Sequence, residues 1–217
     1  MKVIDLTHAL SGDTPVFPGT EPPVITDAFT IAQNGFAEKS LQFVSHTGTH
    51  IDAPGHILAG ASRLDDFSAD RFLGPGLVMD VSAVRGRRIE PGDLRQYEAG
   101  LHAADFALLH TGWGKLWGAP EYFGPYPVLS IDAARWLAGF KLKGIGVDAI
   151  SADEVDSSVF DVHRVLFAAN LLIIENLTGL EALIGRDFVF SCLPLKIAGG
   201  DGSPVRAVAV LDSAISR

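Results

Sequence analysis

Cysteine is almost absent from this sequence: one residue of this type, Cys192, occurs among 217. A single cysteine cannot form a disulfide bond within the chain, so a disulfide framework is excluded and a reducing, cytoplasmic location is expected. Cys192 lies in the apolar stretch FVFSCLPL, which predicts a buried strand. Its thiol is therefore interpreted as part of the core rather than as a nucleophile.

Long apolar runs and clusters of basic residues are also lacking. No stretch approaches the roughly eighteen consecutive apolar residues of a membrane-spanning helix, and the opening MKVIDLTHAL turns polar too early for a secretory signal. With 17 basic and 26 acidic residues the net charge is −9, and no run of Lys or Arg offers a surface for nucleic acid. Neither a membrane nor a nucleic acid is expected as a partner.

Short apolar strands alternate with helices along the chain, without a repeat or a linker. We therefore expect one domain over residues 1–217, of the α/β class, with a mixed, largely β core and surrounding helices. Ser130 is the predicted N-cap of a helix over residues 131–138, and Ser158 and Asp161 have the spacing of a capping box for a helix over 159–170. Strands are predicted over residues 3–8, 24–31, 39–46, 77–81, 106–110, 145–147, 171–174, 188–195 and 205–211.

The sequence SHTGTHIDAPGH, at residues 45–56, concentrates groups that can bind a metal ion. It holds three of the seven histidines and an aspartate, at His46, His50, Asp52 and His56. Gly48 and Pro54 disfavour a helix, and the even spacing of the four groups would place them on one side of an extended chain. Imidazole nitrogens and a carboxylate oxygen are ligands that Zn²⁺ prefers. A metal site is predicted, against the alternative of ordinary polar loop residues.

Other candidate residues carry weaker signals. His163 lies on the apolar stripe of the helix predicted over 159–170, where a histidine is usually a satisfied core residue. Glu175 follows a buried strand, where α/β folds tend to place their sites, although a solvated strand end is the ordinary interpretation. Phe17, in a proline-rich loop, either forms a pocket wall or fills the core. The glycine-rich turn at residues 198–204 lacks the Gly-Lys-Ser/Thr ending of a phosphate loop, which we therefore reject.

The string HTGTHIDAPGH resembles the signature His-x-Gly-Thr-His-x-Asp-x-Pro-x-His of the cyclase family of metal-dependent hydrolases. The resemblance extends over nearly the whole chain, through the IDLTH opening, the TPVFPG loop, HTGW at 110–113, the Glu-Asn pair at 175–176 and GGDGSPVRA near the end. It implies a swivelling β/β/α fold, a homodimer or homotetramer, and one or two Zn²⁺ ions, with Mn²⁺ as the alternative. It also implies that His56 is the acid/base and that the metal ligands are His46, His50, Asp52, His163 and Glu175, with Asp52 and Glu175 bridging two ions.

The implied reaction is metal-assisted hydrolysis of a C–N amide bond in a small molecule. An arylformamide such as N-formylkynurenine, an intermediate of tryptophan catabolism, is the first expectation, and a cyclic amide or imide of the isatin type is the alternative. Two positions depart from the formamidase pattern. Phe17 stands where a substrate-contacting tryptophan is typical, and His110 stands where arginine is common. Neither position belongs to the implied metal ligands, so these two departures bear on the identity of the substrate and not on the metal chemistry.

Rival functions remain beside this one. His50 and Asp52 with a further histidine resemble the two-histidine, one-carboxylate triad of an Fe(II) oxygenase, although His46 and His56 crowd the same stretch. A non-catalytic protein that binds a metal or a small ligand is a second alternative. A Ser-His-Asp hydrolase is disfavoured because the sequence contains no Gly-x-Ser-x-Gly motif.

Overall fold

A computed structural model describes residues 1–211, and these form a mixed α/β fold with a largely β core, as predicted. Every predicted strand overlaps an observed one, and the bounds differ by a few residues. A strand in the glycine-rich turn, β10, was not predicted. The strands are β1 (Lys2–Asp5), β2 (Val24–Phe29), β3 (Glu38–Gln42), β4 (His50–Asp52), β5 (Leu73–Asp80), β6 (Phe106–His110), β7 (Gly144–Val147), β8 (Leu172–Glu175), β9 (Phe188–Ser191), β10 (Gly202–Pro204) and β11 (Val208–Leu211).

The helices are short, and 3₁₀ turns supply much of the remaining structure. Among residues 1–211, no helix is long and apolar enough to cross a membrane. The predicted cap at Ser130 is confirmed, because its side chain accepts a hydrogen bond from the Ala133 N–H. The α-helices are α1 (Ile31–Asn34), α2 (Pro91–Leu94), α3 (Glu98–Leu101), α4 (Ile131–Ala138) and α5 (Asp161–Ala168).

One sheet of nine strands organises the molecule, in the order β1-β11-β9-β5-β6-β7-β8-β4-β10. The four strands from β5 to β8 run parallel, and the pairs outside them are antiparallel. Successive side chains of a strand point to opposite faces, so Leu108 and Leu109 enter two different apolar clusters. Helices α4 and α5 cover the face that receives Leu109, which is why the central strands are apolar on both sides.

Strands β2 and β3 form a separate two-stranded sheet. The two strands pair antiparallel, and α1 occupies the connection between them. Gly35 ends α1 with φ = 78°, in the left-handed region that glycine enters without strain. Phe29, Phe36 and Leu41 of this hairpin are exposed, although Phe29 and Phe36 contact each other with ring centroids 5.0 Å apart.

The helix predicted over residues 159–170 exists, but its predicted capping box is wrong. Helix α5 begins at Asp161, and the residue before it, Phe160, is in the left-handed region at φ = 52°. The first helical N–H groups are instead satisfied by the carboxylate of Asp153, which accepts from the N–H of Val162 at 2.9 Å and of His163 at 3.0 Å. A cap from a residue outside the helix cannot be read from the local Ser-x-x-Asp spacing.

Candidate metal centre

Two antiparallel strands place the central residues of the site. On β4, Ile51 is fully buried in the apolar cluster opposite the helices, so His50 and Asp52 project to the helix-bearing face. His50 is the direct register partner of Glu175 on β8, and opposed residues of antiparallel strands share a face. The alternation predicted from the sequence is therefore observed, and it brings Glu175 to the same place.

The segment before β4 depends on a glycine and on an asparagine. Gly48 has φ = 66°, where a residue with a side chain is strained, and a Cβ there would lie 2.4 Å from Cδ2 of Leu10, which would have to move. Asn176, the residue after Glu175, donates from its side-chain amide to the Gly48 carbonyl at 2.8 Å. The Thr49 hydroxyl donates to the Asn176 carbonyl at 2.6 Å. These bonds fix the histidine-rich segment to the end of β8.

Helix α5 carries His163 to the two carboxylates. The Asp153 carboxylate lies 2.6 Å from Nδ1 of His163 and holds the ring in place. The other ring nitrogen, Nε2, faces Glu175 Oε1 at 3.3 Å and Asp52 Oδ2 at 3.9 Å. A metal-binding histidine typically has its outer N–H held in this way, with the remaining lone pair free for the ion.

His50 and His46 approach the same carboxylates from the other side. His50 donates from Nδ1 to the Gly48 carbonyl at 2.8 Å, which leaves Nε2 facing Asp52 Oδ1 at 3.3 Å and Glu175 Oε2 at 3.4 Å. His46 places Nδ1 at 2.6 Å from Asp52 Oδ1. The two oxygens of Asp52 therefore face different histidines: Oδ1 faces His46 and His50, and Oδ2 faces His163.

The charges of the site suit a divalent cation. Burial raises the pKa of Asp52, but His50 and His46 outweigh it and hold the pKa well below its ordinary value. Burial also opposes protonation of His163, yet Asp153, Asp52 and Glu175 hold its pKa well above the usual range. The cluster thus contains two buried carboxylates that need positive charge beside them, and three imidazoles that can supply lone pairs. This nitrogen and oxygen donor set fits Zn²⁺ or Mn²⁺.

Two overlapping groups of ligand atoms at the centre lie close enough to bind an ion. The atoms of each group lie within 4.8 Å of one another, and the groups are His46 with His50 and Asp52, and Asp52 with His163 and Glu175. Asp52 belongs to both. All five residues that the sequence and the resemblance nominated as ligands are therefore brought together.

His56 differs from these five residues in its surroundings. Its side chain is 31% exposed, whereas that of Asp52 is 1% exposed. Burial lowers the pKa of His56 below 6.5, so its ring is neutral at pH 7. The ring lies against that of His46, with centroids 3.9 Å apart and the planes tilted by 35°, and Nδ1 lies 3.6 Å from Asp201 Oδ2. His46, His56 and Asp201 form a third group with ligand-like spacing.

A cavity of about 500 Å³ opens above the centre. Phe17 is partly buried, lines this cavity and also packs against the core, so both interpretations of it are observed. Among the residues of 1–211 that line the cavity, none is Lys or Arg. Those outside the metal-binding group are Phe17, Gly19, Thr20, Glu21, Val44, His56, Ile150, Ser151 and Phe160.

A second cavity, of about 600 Å³, contains none of these groups. Its two arginines are paired, Arg87 with Asp93 and Arg88 with Glu154, which leaves little free charge for a ligand. His110 also lies apart, at the end of β6, where its Nδ1 is 3.2 Å from the buried Asp148 carboxylate. The chemistry of the molecule is concentrated at the first cavity.

Sequence reasoning missed three residues that hold the ligands in position. Asp153 binds His163, Asn176 ties Gly48 to β8, and Asp201 lies 3.2 Å from Nε2 of His46. Asp201 stands in the glycine-rich turn, which was rejected as a phosphate loop and quoted for the family resemblance without a role for its aspartate. An acidic residue among three glycines was the local signal that could have found it.

Known proteins with similar sequences include members of one enzyme family. The sequence profile of the family described as "Putative cyclase" matches residues 4–154. A kynurenine formamidase of Salinibacter ruber (strain DSM 13855 / M31) is 33% identical over 214 residues, which cover 96% of this chain and 97% of that protein.

Solved structures show the same fold. An isatin hydrolase bound to the product analogue thioisatinate superimposes with a TM-score of 0.88 and 25% identity, over 97% of this chain and 93% of the other. A protein described as a potential metal-dependent hydrolase with cyclase activity has a TM-score of 0.80 and 28% identity, over 96% of both chains.

Proposed function

Because the chain belongs to the cyclase family, we propose that it is a metal-dependent hydrolase of C–N amide bonds, and specifically an arylformamidase with N-formylkynurenine as its first candidate substrate. The observation that carries this proposal is the convergence of His50, Asp52, His163 and Glu175 at the floor of a cavity. Similarity to a kynurenine formamidase over almost the full length of both chains supports the choice of bond.

The residues that would hold the metal are His46, His50, Asp52, His163 and Glu175. A divalent ion held there supplies Lewis-acid chemistry, in that it lowers the pKa of a water molecule and polarises the amide carbonyl. The protein fixes the direction of each lone pair through the outer ring nitrogens, as with Asp153 and His163. The orientation of Asp52 suits either one ion or two, because its oxygens face separate histidines.

His56 is the group that would move the proton. Its ring lines the cavity and is neutral at pH 7, so it can accept a proton from water and deliver it to the leaving nitrogen. Water and the formamide are consumed, and formate and the aryl amine are released. Its position at the cavity and its lowered pKa support the assignment of His56 as general base and then general acid.

The upper part of the cavity would hold the aryl group. Phe17, Val44, Ile150 and Phe160 supply apolar walls for a flat ring, and the volume of about 500 Å³ suits a small molecule. Phe17 takes the position at which a tryptophan is typical of formamidases, and it offers a smaller surface for stacking. We assign Phe17 to contact with the substrate ring.

A cyclic amide of the isatin type is the second candidate substrate. The observation that favours it is the superposition on an isatin hydrolase at a TM-score of 0.88. The bond broken is again a C–N amide bond, so the same residues would serve.

The first experiment measures hydrolysis of N-formylkynurenine by protein purified without chelator, together with its metal content. We expect turnover of roughly 1–10³ per second, lost on removal of the metal and restored by Zn²⁺ or Mn²⁺. Hydrolysis of isatin alone would select the second substrate. Bound metal without turnover of either compound would favour a non-catalytic binding protein, and oxygen uptake with Fe(II) would favour an oxygenase.

We also propose that the protein is a homodimer or a homotetramer. The β2–β3 hairpin supports this, because it exposes Phe29, Phe36 and Leu41 and forms a two-stranded sheet of its own. The mass in solution should be two or four times the 23.1 kDa of one chain. Replacing Phe36 with aspartate should shift this mass towards the monomer, and a monomeric wild type would contradict the proposal.

A further inference from the structure

The glycine-rich turn at residues 198–204 approaches the metal centre along a strand. It ends in β10, which pairs antiparallel with β4, and Gly202 lies directly opposite Asp52. The Asp201 carbonyl also accepts a hydrogen bond from the Ala53 N–H at 2.9 Å. The backbone on both sides of the Asp201 side chain is therefore held against the histidine-rich segment.

The Asp201 carboxylate contacts His46 on the side away from Asp52. Its Oδ2 lies 3.2 Å from Nε2 of His46, while Nδ1 of the same ring lies 2.6 Å from Asp52 Oδ1. The second oxygen, Oδ1, accepts a hydrogen bond from the Ser45 hydroxyl at 3.1 Å, which fixes the rotation of the carboxylate. The His46 ring thus lies between two carboxylates, one central and one peripheral.

The other two histidine ligands have the same arrangement. In His50 the outer nitrogen donates to the Gly48 carbonyl, and in His163 the outer nitrogen is bound to the Asp153 carboxylate. In each case the remaining nitrogen, Nε2, faces the buried carboxylates. An oxygen acceptor of this kind sets the tautomer and the ring orientation of a metal-binding histidine.

From this pattern we infer that Asp201 is the positioning residue for His46, and that it holds the Nε2–H of this ring so that Nδ1 presents its lone pair to the metal. The inference rests on the proposed metal centre and adds a residue to it. Asp201 lies closer to His46, at 3.2 Å, than to His56, at 3.6 Å, and the longer distance exceeds that of a hydrogen bond. Its action is therefore assigned to His46.

Gly202 supplies independent support for this role. A Cβ atom at Gly202 would lie 2.5 Å from Cε1 and 2.7 Å from Nε2 of His46. The ring packs directly on the backbone beside Asp201, and a side chain at position 202 would displace it. The strand that presents the carboxylate is thus also the surface on which the ring rests.

The test measures the affinity of the reconstituted protein for Zn²⁺ by competition with a chromophoric chelator, together with the number of ions bound per chain at saturation. We expect Asp201→Ala to bind Zn²⁺ about 10- to 100-fold more weakly, with an unchanged number of ions. Asp201→Asn should recover most of the affinity, because its amide oxygen can still accept from His46. The exposed Asp187, changed to alanine as a control, should leave the affinity unchanged.

Three results would overturn the inference or its premise, and they can be told apart. Tight binding by Asp201→Ala, equal to that of the wild type, would refute the positioning role alone. Loss of one bound ion in this variant would make Asp201 a direct ligand, together with His46 and His56. Absence of Zn²⁺ binding by the wild type would refute the proposed metal centre itself. If Asp201→Ala does not fold, Asp201→Leu removes the same acceptor while keeping a side chain of comparable length, and an unchanged affinity in Asp201→Leu would again overturn the inference.

Discussion

Asp52→Ala is expected to lose metal binding and hydrolysis together. Asp52 is the residue shared by the two central ligand groups, and its oxygens face His46, His50 and His163. Removing one partner from a buried charged group typically costs about 3–5 kcal/mol, which corresponds to a roughly 10²- to 10⁴-fold weaker complex. Elemental analysis after dialysis and the formamidase assay, made on the same sample, measure both effects.

A buried carboxylate elsewhere provides the matched control. Asp148 is 3% exposed and accepts hydrogen bonds from Thr111 and Gly112, but it does not line the cavity. Asp148→Asn should lower the free energy of unfolding and leave the number of bound ions unchanged. Retention of full metal content by Asp52→Ala would show that this residue is not a ligand and would remove the central element of the proposed site.

The part of the site that could be predicted from the sequence is the part encoded within one short stretch. The even spacing of His50 and Asp52 predicts a common face, and Ile51 between them is buried on the other face as expected. Alternation is a property of any extended chain, so it holds before the neighbouring strands are known.

The distant ligands could not be recognised from local pattern alone. His163 lies on an apolar stripe because α5 does pack on the sheet, and its contact with Asp153 comes from a loop before the helix. Glu175 meets His50 only through the antiparallel register of β4 and β8, which are far apart in sequence. The resemblance to a known family, and not periodicity, identified these two residues.

The role of Asp201 and Gly202 could not be predicted from the sequence either. A turn of this composition has many uses, and the closeness of Gly202 to His46 arises from the pairing of β10 with β4. Strand pairing across about 150 residues depends on the whole topology, which short-range propensity does not specify. The capping box predicted at Ser158 is wrong for a related reason: the N–H groups at the start of α5 donate to Asp153, which lies outside the helix.

His56→Ala is expected to keep its metal and to lose most of its turnover. The side chain is more exposed than any of the buried ligands and lies at the cavity, so the centre can form without it. Loss of a general acid/base lowers kcat by roughly 10²- to 10⁴-fold. His102→Ala, at an exposed position outside the cavity, is the control and should retain full activity.

The role of His56 also predicts the direction in which activity changes with pH. Burial lowers the pKa of His56 below 6.5, and only the neutral ring can accept a proton. The value of kcat/KM should therefore rise as the pH increases through that pKa and reach its plateau by about pH 7, since this ratio reports the free enzyme. A bound cation would lower the pKa further and leave the direction unchanged. In His56→Ala this acidic limb should disappear, whereas loss of metal from this variant would make His56 a ligand and reverse its role.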